Sequence, residues 1–187
     1  MASRLFLALA LCAAMTADAA EVSGVRLDDK TQVESKDLVL NGAGLRKRAF
    51  FQVYAMGLYL PQKATDAAVV LMQPGAKRVA MHMLRDVSAE QFSDALADGI
   101  RANHSPAEAT ALLPRLMQLV AVMAEVKEAK KGMLIALDWT GVGTQVLIDG
   151  SPHGRPIPGE DFYRALLRIW IGDKPVQDDL KRALLGA

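Results

Sequence analysis

The chain has 187 residues, 51% of them apolar, and its 22 basic and 21 acidic side chains leave a net charge of +1. That near-balance excludes capture of nucleic acid through a strong, clustered positive field, and a single cysteine excludes a disulfide framework or a thiolate cluster for a metal. What remains is a domain that depends on its own core, and about 165 residues suffice to bury roughly 70% of the surface exposed by the unfolded chain.

The first twenty residues have the three parts of an export signal. Arg4 is the positive end, Leu5 to Met15 is an apolar run, and Ala17-Asp18-Ala19-Ala20 offers small residues for cleavage after Ala19 or Ala20. The run is shorter than the roughly 20 apolar residues needed to cross a bilayer core of about 30 Å. Cys12 reads as apolar filling within it and would leave with it. The expectation is a signal peptide over 1–20 and a working domain over 21–187, periplasmic or secreted. Cleavage removes one basic and one acidic residue, so the charge is unchanged. No later stretch is read as reaching transmembrane length, so no integral membrane segment is expected after cleavage.

Strand-like patterning opens the domain from Val22 to Leu27, followed by a polar stretch and a second strand near Leu38 to Leu40. Asn41-Gly42-Ala43-Gly44 is predicted to turn. A long extended run, Arg46 to Leu60, and a strand from Arg78 to Leu84 follow, rich in β-branched and aromatic residues. The period then changes. Ser88-Ala89-Glu90-Gln91 is a capping box ahead of Phe92, Leu96, Gly99 and Ile100 at helical spacing. Ser105-Pro106-Ala107-Glu108 opens another helix, which Pro114 should kink or split before Val126. Strands at Met133 to Trp139 and Gln145 to Ile148 flank a turn at Gly141 to Gly143. A helix starting at Pro158-Gly159-Glu160-Asp161 carries Phe162, Leu166, Ile169 and Trp170, and a short one spans Val176 to Leu185. This order favours one α+β domain, a sheet faced by helices.

Chemistry-bearing patterns are few. Strict alternation from Arg46 would place Arg46, Arg48, Phe50, Gln52, Tyr54, Met56 and Leu58 on one face, where a guanidinium, an amide and a phenol could hold a carboxylate at the end of an apolar slot. The competing reading has the arginines capping the strand in solvent, or Arg46 buried against a protein carboxylate. His82 lies between Met81 and Met83 on a strand, as a core or rim residue more readily than a base; His104 suits a helix C-terminus, and His153 sits in a Gly/Pro-rich turn. No HxxxH pair, no carboxylate–histidine cluster, no GxSxG elbow and no phosphate loop occurs, so neither metal, cofactor nor hydrolase chemistry has local support. The methionines suit a core or a plastic pocket.

Taken in order, LNGAGLR starting at Leu40, the strand ending MGLYLP, the helix from Ser88 to Gly99, Ile157-Pro158-Gly159-Glu160-Asp161-Phe162 leading to Ile169-Trp170-Ile171-Gly172-Asp173, and Asp179-Leu180-Lys181-Arg182 resemble the chalcone isomerase-like proteins, specifically a bacterial exported branch. The resemblance implies an open-faced β-sandwich, a curved antiparallel sheet covered by a layer of helices, with a ligand cleft between them. In plant chalcone isomerases an arginine holds the substrate phenolate, while polar groups and a tyrosine-bound water act on the ketone. The matching arginine here is Arg46, but the strand threonine falls on Tyr54, the helix tyrosine on Phe92, the helix asparagine on Gly99 and the last-helix threonine on Ile169. Phe92 cannot position a water and Ile169 cannot orient a phenol, which argues against chalcone cyclisation.

The family also includes fatty-acid binders that hold the carboxylate with an arginine and a tyrosine. Arg46 is available for this, with Tyr54 or Gln52 as second donor, although Phe92 occupies the usual tyrosine position. The resemblance therefore implies a non-catalytic, monomeric binder of a small apolar acid or lipid, with Arg46, Gln52, Tyr54, Phe92, Gly99 and Ile169 around the ligand and no cofactor, metal or nucleic acid. An isomerase acting on another substrate, with His82 as its titratable group, and a scaffold presenting an exposed apolar patch to a protein partner remain the alternatives.

Overall fold

The computed structural model describes residues 19–186, so the expected leader lies, except for Ala19 and Ala20, outside the described residues. The fold begins with a small hairpin, Ala20–Val22 (β1) against Val25–Leu27 (β2). The single strand expected here is two, because Ser23 and Gly24 take positive φ values of 51° and 78°, the conformation a two-residue hairpin turn requires. Lys30–Val33 (β3) then pairs with the long strand Lys36–Arg48 (β4), so the polar stretch is also strand.

β4 passes through Asn41-Gly42-Ala43-Gly44 without turning, with one register slip at Asn41. The glycines serve close approach rather than reversal. A Cβ on Gly42 would sit 2.1 Å from the Ala183 carbonyl oxygen, and one on Gly44 would sit 2.8 Å from the Leu180 side chain. Only bare backbone lets the C-terminal helix lie against the strand. Asn41, 7% exposed, ties the same junction: its amide donates to Leu184 O at 2.7 Å and its Oδ1 accepts from Ala64 N at 2.7 Å.

The run from Arg46 to Leu60 is likewise not one strand. β4 turns at Ala49-Phe50, with Ala49 at φ 52°, into Phe51–Leu60 (β5). Arg48 and Phe50 therefore leave the common face expected for them, and Phe50 is fully exposed at the tip. Arg46 and Tyr54 nonetheless meet, as direct cross-strand partners, and such partners project from the same face.

After Ala67–Met72 (α1) come Lys77–Met83 (β6), the two-residue Val87–Ser88 (β7), Ala89–Asn103 (α2) and Pro106–Val126 (α3). Both expected capping boxes are formed, at Ser88–Gln91 and Ser105–Glu108. α3 is not split by Pro114. At 21 residues and a mean hydropathy of 1.4 in its most apolar window, α3 is long and apolar enough to cross a membrane, contrary to the expectation that no later stretch would be. Here Leu112, Leu116, Leu119, Val122 and Met123 are buried in the domain core, so much of that apolarity is spent on packing. Glu128–Ala129 (β8) pairs with β7, and Leu134–Trp139 (β9), Gly143–Ile148 (β10) and Ser151–Pro158 (β11) complete the sheet. The stretch read as a turn around His153 is thus a strand, and it tolerates Pro152, Pro156 and Pro158 because it lies at the sheet edge. Glu160–Ile171 (α4) and Asp178–Leu184 (α5) close the chain.

Seven strands form one antiparallel sheet in the order β11-β10-β9-β6-β5-β4-β3, and the helices pack on one of its faces: an open-faced α+β sandwich. Alternation assigns the two faces. Tyr54, Met56, Leu58, Met81 and Met83 join Phe92, Leu96, Ile100, Leu166, Ile169 and Trp170 of the helices in the main core. Tyr59 and Ala80 point the other way, into a smaller cluster with Leu27, Leu38 and Leu40 that the β1–β2 hairpin covers.

Candidate functional site

The constellation centred on Arg46 is built where the end of β4, the start of β5, α4 and the α4–α5 connection converge. Arg46 is half-buried. Its Nη1 donates to the carbonyl of Lys47 and to Gln177 Oε1 at 3.3 Å. Gln177 also accepts from Lys47 N at 2.8 Å and donates to Leu45 O at 3.1 Å, so one side chain pairs with β4 much as a neighbouring strand would. No carboxylate lies within 4 Å of Arg46 among the described residues, so the competitor in which it is buried against a protein carboxylate is not what the fold contains.

Tyr54, 9% exposed, accepts a hydrogen bond at 2.9 Å from the indole N–H of Trp170. Burial pushes its phenol above the ordinary value of 10.0, while the Trp170 hydrogen bond and the positive charge of Arg46 pull the other way. The hydroxyl is therefore a neutral donor at any physiological pH, and among the described residues its own proton has no acceptor, so it can bond an oxygen anion beside Arg46. Trp170 and Gln177 are the partners that sequence reasoning missed. The sequence marks Trp170 only as an apolar helix residue, and neither has a local pattern that signals a polar role.

The helix positions behave differently. Phe92, 6% exposed, and Ile169, 3% exposed, are core residues. A Cβ on Gly99 would lie 2.7 Å from Ile169 Cγ2. Two positions matched to polar residues of the enzymes are thus one contact, in which isoleucine fills the space glycine leaves. At this contact the space implied between sheet and helices is filled. Gln52 is exposed near the hairpin tip, where it pairs with Lys47 across the strands, and it is not brought to the Tyr54 hydroxyl face.

Two hollows lie elsewhere. One, of about 220 Å³, opens between α3 and α4, where Arg115 forms a two-pronged pair with Asp161 beside His104, Glu108 and Arg168. The other, of about 150 Å³, is on the sheet face away from the helices and is lined by His82, Tyr59, Asp28 and Arg78. Arg78 is held there by Asp138, through two bonds of 2.6 Å, and by Thr31 at 2.7 Å. His82 accordingly faces away from Tyr54, and burial holds its imidazole below the ordinary value of 6.5. It cannot serve as the acid or base of a reaction at the Arg46 end, which removes the residue on which the isomerase alternative relied.

Comparison with known proteins gives the fold a family. No curated protein matches the chain. Among solved structures, a fatty-acid binding protein from Arabidopsis thaliana superposes with a TM-score of 0.68 at 14% identity, over 87% of this chain and 92% of that one. At that identity the likeness speaks for the fold alone. A family model described as chalcone isomerase-like matches residues 19–186, the whole of the described domain, and the chain belongs to the chalcone isomerase-like family.

Proposed function

We propose that the protein is exported, works in the periplasm or outside the cell, and is a non-catalytic binder of a small apolar acid, a fatty acid being the type ligand. The observation that carries this reading is the half-buried guanidinium of Arg46, without a carboxylate partner among the described residues, next to the buried hydroxyl of Tyr54. A guanidinium taken partly out of water needs an anion or a full set of acceptors. Among the described residues it has a carbonyl, one amide oxygen and the neighbouring Tyr54 hydroxyl, all uncharged. A carboxylate spanning Arg46 and Tyr54 would satisfy both donors with charge-assisted hydrogen bonds. A plant structure with this fold is a fatty-acid binding protein, which is why a fatty acid is taken as the type ligand.

The tail would enter between sheet and helices by parting the layer in which Phe92, Gly99 and Ile169 pack. That makes these three residues determinants of tail size rather than of headgroup chemistry. The scaffold alternative keeps one specific support, the exposure of Leu113 (48%) and Met117 (63%) on the outer side of α3. Native mass spectrometry of protein purified from its own cells tests the binder directly. An adduct with the mass of an apolar acid is expected, and Arg46→Ala should lose it while keeping the native circular dichroism spectrum. An empty protein, or a co-purifying protein in place of the acid, would sink the reading.

A further inference from the structure

The β4–β5 turn exposes two aromatic rings where the fold buries Phe92 and Phe162. Phe50 is 100% exposed and Phe51 is 59% exposed. Cations surround them. Lys47 and Arg48, both exposed, precede the turn, and the Arg85 guanidinium sits 4.5 Å above the Phe51 ring. Leu84 N donates to Val53 O at 2.9 Å and Gly132 N to Met83 O at 2.8 Å, so the β8–β9 loop with exposed Lys130 and Lys131 lies at the same end of the sheet. Two acids share this end, Asp86 bonded by Lys131 N at 2.7 Å and Asp149 bonded by Leu134 N at 2.8 Å, and the five cations outnumber them. In a chain with a net charge of only +1, this end carries a local positive excess around an aromatic point.

We propose that the β4–β5 tip docks the domain onto an anionic lipid bilayer, with Phe50 and Phe51 entering the headgroup boundary and Lys47, Arg48, Arg85, Lys130 and Lys131 facing lipid phosphates. The shape decides between a bilayer and a protein partner. Two rings on a narrow turn do not make the roughly 800 Å² face that a stable protein interface needs on each side. A fluid lipid boundary, however, accepts protruding aromatic rings flanked by cations without any matching surface. Arg46 lies only three residues before the tip residue Ala49, so docking would bring the acid-binding end of the sheet to the membrane. The inference stands apart from that reading, since it is measured with no fatty acid present.

The test is co-sedimentation with vesicles of one part phosphatidylglycerol to two parts phosphatidylcholine. It uses the chain from Ala19 onward, which contains every element of the described fold and omits the apolar run Leu5 to Met15, a sequence that would itself bind lipid. The protein should pellet with these vesicles, less with phosphatidylcholine alone, and less again at high salt. Phe50→Ser with Phe51→Ser, and separately Lys47→Glu with Arg48→Glu, should each weaken binding by about tenfold or more with unchanged thermal melting. In Phe50→Trp, vesicles should shift the added tryptophan emission to the blue, a readout that loss of folding would not imitate. Protein left in the supernatant, equal binding by the double phenylalanine variant, or equal binding to neutral vesicles would each overturn the proposal.

Discussion

Lys77 shows how far one residue's environment departs from its composition. Its side chain is fully buried, with Glu160 at 3.6 Å as its only anionic partner among the described residues. Burial lowers its affinity for a proton, and the Glu160 charge only partly restores it. Replacing a buried charge by an apolar side chain of similar length is commonly neutral or stabilising. Lys77→Met should therefore hold or raise stability by about 1 kcal/mol in urea unfolding, whereas Glu160→Gln, which strands the ammonium, should lower it by about 1 kcal/mol given the partial exposure of the carboxylate. His82 gives the matching pH dependence. Its folded-state pKa lies below 6.5 because burial outweighs the attraction of Asp28. A depressed value means that the contribution to stability is complete above 6.5 and is lost as the pH falls through the folded-state value. Denaturation measured between pH 7 and about pH 5 should show this loss, and His82→Gln should flatten the curve. The alternation of Met81, His82 and Met83 already placed the imidazole opposite the methionines in the sequence. Which of the two faces carried the helices was not legible there, because each face of this strand bears a cation, Lys77 beside Val79 and the methionines and Arg78 beside Ala80 and His82.

At the scale of elements, the helices were easier to read than the strands, and the reason is chemical. Ser88 and Ser105 announce their helices through side chains that bond the backbone three residues on, a signal contained in four consecutive residues. The β4–β5 reversal uses Ala49 at a positive φ instead of glycine or asparagine, so nothing in Arg48-Ala49-Phe50 marks a turn. The converse error arose at Gly42 and Gly44, whose purpose is the approach of α5 from more than a hundred residues away. Long-range contacts of this kind leave no local pattern. The Gly99–Ile169 contact gives a quantitative check of the α2–α4 junction. Gly99→Ala should cost about 1–2 kcal/mol, overpacking outweighing the better helix propensity. Ile169→Ala should cost about 2–4 kcal/mol through the hole it leaves. The double variant should cost less than the sum, since the new methyl occupies part of that hole; additive losses would mean that the two helices do not meet there.

For the whole molecule, the open-faced sandwich was legible from the order of elements and motifs, while the state of its interior was not. The resemblance implied a cleft with six residues around a ligand. The fold brings Arg46 and Tyr54 together across a hairpin, supports them through Trp170 and Gln177, and uses Phe92, Gly99 and Ile169 as packing. At the helix positions matched to polar residues, apolar side chains pack against one another at the Gly99–Ile169 contact. What survives is an anion-ready end on an apolar interior. Isothermal titration calorimetry with a long-chain fatty acid, on the wild type and Arg46→Ala, tests it most directly. The wild type should bind at one saturable site, and Arg46→Ala should weaken that binding by about tenfold or more with unchanged melting, as expected for losing one charge-assisted hydrogen bond. No saturable heat from the wild type, or the same affinity in both proteins, would contradict it.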